Sequence, residues 1–160
     1  MNNRINASLA ITLLYQYKIM NPSDKYKDNA NGVITDISSK KAWLPKDAWV
    51  DLGKWVDWEG ALGYARLMNT VYAGGFSDWR LPTKEEVLNF YEPELQQLDW
   101  EDKIIHIHPL FVHKCSYLMW TSDVDQDGKA FCLNLRDGIG EYIDKGAKDN
   151  HGARLVRDMK

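Results

Sequence analysis

The chain has 160 residues, a formal net charge of −3, 44% apolar residues and 27% charged residues. That length suits one domain, and the balance is that of an ordinary globular fold rather than a disordered or fibrous chain. The acidic balance and the lack of a basic stripe argue against nucleic acid as a partner, which would need clustered cations to neutralise phosphates.

In chain order, residues 4–20 come first. Ile5, Leu9, Leu13 and Tyr17 recur at intervals of four, with Ala10 and Leu14 widening the stripe, and this predicts a helix. The run is too short and too polar to span a bilayer, and no small-x-small cleavage site follows it. The expected location is therefore cytoplasmic, with export to the cell surface as the alternative. A helix at a chain end must rest on something, so Leu9, Leu13 and Tyr17 are candidate partner-binding residues, against the chain's own domain or another chain. Residues 1–28 are read as an N-terminal helical extension and residues 29–160 as the domain.

Residues 32–44, "GVITDISSKKAWL", read as short strands around a turn. Asp57 is an N-cap for the next helix, whose Trp58, Ala61, Leu62, Ala65, Met68 and Val71 share a face. Gly74 and Gly75 supply its stop. In "SDWRLPTKEE", residues 77–86, Trp79 to Leu81 can form a short strand. Thr83 then caps a helix from Lys84 to about Tyr91, and Glu86 completes a capping box. From Tyr117 the pattern turns to strands. "YLMWTS" and "KAFCLNL" flank the turn "DVDQDG", a second turn at Asp137-Gly138 leads into "IGEYID", and "ARLVRD" closes the chain. Helices followed by antiparallel strands indicate an α+β fold.

Three groups could carry chemistry. Asp123, Asp125, Asp127 and Gly128 follow the order of a calcium loop, in which alternate carboxylates converge on a hard cation. The twelfth position is Asn134, so the closing bidentate ligand is missing, and a solvated hairpin turn is the competing reading. His106, His108 and His113 could approach a metal if the first two share a strand face. Cys115 and Cys132 make neither a zinc pattern nor a disulfide framework. With the hairpin turn centred near Asp125, Cys132 faces about Met119. Cys115 then lies roughly a dozen ångströms along the strand, too far for a bridge. No residue stands out as catalytic, and no cofactor is expected apart from the calcium alternative.

The blocks "NGVITD", "VDWEGALGYARLMN", "AGGFSDWRLPTKEEV", "HPLF", "YLMWTSD", "AFCLNLRDG" and "ARLVR" occur in the order of the Lcl C-terminal domain family, which the chain resembles from about residue 30 to 158. That bacterial family has long been described as of unknown function. Trp120-Thr121-Ser122-Asp123 stands where the family has "WSST", and Leu155 replaces its usual closing Cys. The "SDWRLPT" block also resembles the "RLPTEAEWE" block of the formylglycine-generating enzyme group. The resemblance implies a C-type-lectin-like fold, two helices on a twisted antiparallel sheet, with the N-terminal helix added. It implies structural roles for Trp79, Arg80, Leu81, Pro82, Thr83, Glu86, Trp120 and Arg157. Arg80 is then a buried strut whose five donors tie loop carbonyls and Asp78. Some relatives sit on bacterial surfaces and bind sulfated polysaccharides. The function implied is a non-enzymatic binding module that recognises a protein partner or a carbohydrate through its loops. An accessory or assembly subunit, and a metal or thiol enzyme of the formylglycine-generating type, are the alternatives, and the oligomeric state stays open.

Overall fold

A computed structural model of the chain describes residues 7–20 and 25–160. Helix α1 (Ala7–Met20) lies within the predicted 4–20, whose first residues fall outside the described ones. Its Leu9, Ile11, Leu13 and Leu14 are each more than half exposed. The side chain of Tyr17 lies outside the described residues.

Strands β1 (Tyr26–Asp28), β2 (Ile34–Asp36) and β3 (Lys41–Trp43) form a meander, and strand β10 (Val156–Asp158) from the far end of the chain pairs with β3 to close the sheet. The "GVITDISSKKAWL" expectation therefore holds. Strand β1 pairs with β2 through Tyr26↔Asp36, and Tyr26 is buried. The first sheet therefore begins at residue 26. Two short helices and a longer one follow: α2 (Ala48–Leu52), α3 (Trp58–Thr70) and α4 (Lys84–Phe90). Between them and the second large sheet lies a two-stranded pair, β4 (Gln97–Leu98) with β5 (Ile104–Ile105). The second sheet has the order β8 (Gly140–Ile143), β7 (Ala130–Asn134), β6 (Leu118–Val124), β9 (His151–Gly152). Its β6–β9 pairing is parallel and the other named pairings are antiparallel. The fold is α+β.

Alternation along β6 and β7 assigns the core. Trp120, Ala130 and Cys132 face a cluster built with Ala61, Tyr64 and Ala65 of α3. Met119, Phe131 and Leu133 face the opposite cluster, with Val87 and Phe90 of α4. Successive strand residues point to opposite faces, so one hairpin serves two cores. The first sheet does the same: Ala42 and Leu155 join the α3 side, Trp43 and Val156 the α4 side.

Helix α3 starts as expected, with the Asp57 side chain accepting the Gly60 N–H. Its stop is not at the two glycines. The helix ends at Thr70, and Tyr72 already sits in the left-handed region at φ 53°. Gly74 answers a different need. Its φ is 61°, and a Cβ there would come within 2.3 Å of Val33 Cγ2. Residues 79–81 make a single bridge, Arg80↔Val156, and no strand.

Candidate functional site

The "DWRLPT" stretch folds into a brace. Thr83 caps α4 by accepting the Glu86 N–H, and Glu86 accepts the Thr83 N–H in return at 2.8 Å. The same carboxylate grips Arg80 through two bonds of 2.8 Å, and Lys41 lies 3.5 Å away. Arg80 also donates to Leu81 O at 3.2 Å and reaches Asp158, which in turn holds Lys41. Burial alone would raise the Glu86 carboxyl, but Arg80, the Thr83 N–H and Lys41 outweigh it and hold it below the usual carboxylate range.

Two expectations for Arg80 need correction. Its side chain is 35% exposed, not buried. It borders two surface grooves, one of about 410 Å³ beside Arg66 and Ser122 and one of about 620 Å³ beside Ser39 and Asn89. Its carboxylate partners are Glu86 and Asp158 rather than Asp78, which belongs to Arg157, whose Nε donates to it at 2.6 Å and whose guanidinium lies 3.7 Å from the Phe76 ring centroid. Trp79, Leu81 and Pro82 of the motif lie in the interior, and so does Trp120. Trp79 and Leu81 are buried on the α3 side, with the Trp79 indole N–H donating to Ala73 O. Pro82 O accepts the Ser122 N–H, and the Trp120 indole donates to Val56 O.

The three aspartates do not converge. Asp123 accepts the Lys84 N–H at 2.6 Å, so it caps α4 from the hairpin. Asp125 accepts the Asp127 and Lys129 N–H groups and shapes the turn. A bulge between Trp120 and Val124 turns Asp123 towards the helix, and spacing in the sequence does not reveal it. Among the described residues, no group of three or more His, Cys, Asp or Glu side chains is placed to hold a metal ion. His106 Nδ1 contacts Leu95 O, and His108 accepts the Leu110 N–H, so neither belongs to a ligand set. Cys132 lies opposite Trp120, one residue from the predicted Met119. Both thiols are free and buried, one in each core. Burial pushes Cys115 up to about 11 and Cys132 up to about 12, so both are protonated at neutral pH.

The surface with the most distinctive chemistry is aromatic. The Asp47 side chain accepts the Val50 N–H to start α2, and its other oxygen accepts from Ser116 N and Oγ. Gly53, at φ 66°, ends α2 in the left-handed conformation with its N–H on Trp49 O. The chain therefore doubles back, and Trp55 stacks on Trp49 at 3.7 Å and 12°. Trp100 arrives from the turn after β4, its ring 5.3 Å from Trp55 and 6.1 Å from Trp49. That turn is pinned by the buried Asp99, which accepts the Glu101 and Lys103 N–H groups and pairs with Arg136 at 2.6 Å. Trp100 itself donates its N–H to Cys115 O and is 37% exposed.

The cluster opens onto two grooves. One of about 490 Å³ runs past Leu52, Trp55, Tyr64 and Leu67. One of about 370 Å³ lies between Trp49, Trp55, Lys54 and Lys148. Large rigid indoles supply contact area at small entropic cost, and two lysines at the rim add charge. The sequence patterns read above did not assign these three. The signal was present in "AWVDLGKWVDW" and "LDWED", where Trp occurs among charged residues.

The model of the Lcl C-terminal domain family matches residues 32–157, which takes in the brace, both large sheets from β2 onward and all three tryptophans. A search of curated proteins found no match. With most of its length inside that span, the chain belongs to the Lcl C-terminal domain family.

Proposed function

We propose that this chain is a non-enzymatic binding module, a C-type-lectin-like domain that recognises a glycan or a protein partner on the Trp49–Trp55–Trp100 surface. The observation that carries the reading is the packed indole cluster itself, held on two pinned turns and partly open to solvent. Such a cluster adds little to folding at the surface and matches what a sugar ring or an apolar side chain needs. The protonated, buried thiols also favour binding over thiol chemistry. A second reading, an accessory or assembly subunit, is favoured by α1, whose Leu9, Ile11, Leu13 and Leu14 face solvent.

The test is a glycan array and a partner pull-down, run with the full chain and with Trp100→Ala in parallel. Truncating a central interface tryptophan is expected to weaken the captured ligand by about tenfold or more. Thermal melts of both proteins check that the variant stays folded, since Trp100 is 37% exposed and packs on Trp49 and Trp55. Equal capture by both proteins would exclude this surface.

A further inference from the structure

A separate cavity of about 270 Å³ lies on the β8-β7-β6-β9 sheet, bordered by Leu118, Cys132, Asn134, Glu141, Ile143 and His151. His151 is 6% exposed, and its ring stacks on Trp120 at 4.8 Å and 28°. Its Nδ1 lies 2.9 Å from Asp149 O. A carbonyl can only accept, so Nδ1 carries the proton, and burial lowers the ring's pKa and favours the neutral form, in which Nε2 carries the lone pair. Nε2 is buried and has no hydrogen-bond partner among the described residues. The Trp120 ring against it is fixed by the indole bond to Val56 O, so the imidazole is held in place.

The charged side chains at the rim are carboxylates. Glu141 stands opposite Cys132 on β8, is exposed, and makes no ion pair among the described residues. Asp137 accepts the Ile139 N–H and a weaker bond from Asn134 Nδ2. The site therefore offers a buried neutral acceptor, an unpaired carboxylate and an apolar lining. Leaving a buried acceptor unpaired is costly, and two carboxylates repel an anion. The complement is a cation that carries N–H donors on a short apolar stem.

We propose that this cavity binds a small primary alkylammonium ligand, its N–H groups directed to His151 Nε2 and Glu141 and its stem resting on Leu118 and Ile143. A quaternary ammonium carries the same charge but no N–H, so it cannot satisfy the histidine. The site is independent of the tryptophan surface and does not rest on it.

The experiment is a ¹H–¹⁵N NMR titration of the full chain with n-butylammonium chloride at neutral pH and constant ionic strength. Tetramethylammonium chloride serves as the matched control. Saturable shifts are expected at the amides of Cys132, Glu141 and Gly152, and in the His151 ring, with n-butylammonium alone. Glu141→Gln changes an exposed side chain, so the fold is retained, and it is expected to weaken the titration by about tenfold. The proposal is overturned if n-butylammonium gives no saturable shift, if tetramethylammonium gives the same one, or if Glu141→Gln binds unchanged.

Discussion

Glu86 shows how much one side chain can be asked to do. It closes a capping box, takes both forks of Arg80 and faces Lys41. Glu86→Gln keeps an acceptor for Thr83 and for one Arg80 donor but removes the charge. We expect a loss of about 1 kcal/mol at neutral pH, below the usual value for bonds between charged groups because water reaches Arg80. The pH dependence gives a sign to check. The folded carboxyl titrates below its unfolded value, so its contribution is complete above about pH 4.3 and is lost as the pH falls through the lower folded value. Urea unfolding at a series of pH values should show wild type and variant converging on the acid side. A gap that stays constant down to the acid limit would mean that the charge is not the stabilising feature.

The hairpin and the helix it caps tell a similar story for elements. Asp123 sits on the Lys84 N–H while Asp127 is exposed in the turn. Asp123→Ala is expected to cost about 1 kcal/mol, the usual penalty for losing an N-terminal cap, and Asp127→Ala close to nothing. Thermal melts of both, with and without millimolar calcium, separate a cap from a metal ligand. A calcium-dependent stabilisation abolished by both variants would restore the calcium loop. Elements with local signals were legible in the sequence: the Asp57 and Thr83 caps, the Thr83–Glu86 box, and the alternation that marks β6 and β7. What escaped was set by partners far along the chain. The parallel docking of β9 on β6, the bulge that redirects Asp123, and the stacking of Trp49 on Trp55 beside Trp100 all depend on contacts that no local pattern encodes. The choice of Glu86 over Asp78 for Arg80 was open for the same reason. Both carboxylates lie within six residues, and only the pairing of β10 with β3 brings Arg157 up to claim Asp78.

At the scale of the molecule, the first sheet joins the two ends of the domain, since β10 pairs with β3 and β1 completes the opposite edge. Tyr26 of β1 packs its ring against Phe90, His108 and Phe111, at centroid distances of 6.5, 5.2 and 5.2 Å. It ties the start of the domain to α4 and to the loop before β6. Helix α1 lies outside this arrangement, with its described leucines and isoleucine in solvent. Two truncations should therefore behave very differently. A chain beginning at Lys25 keeps β1 and should unfold like the full chain. A chain beginning at Asn29 loses Tyr26 from the core and should fall by about 3–5 kcal/mol, the range for removing a large buried aromatic side chain. Denaturant unfolding of the three proteins measures both differences. If the chain beginning at Lys25 were as damaged as the shorter one, α1 would have to be a packed part of the domain rather than an extension free to engage something else.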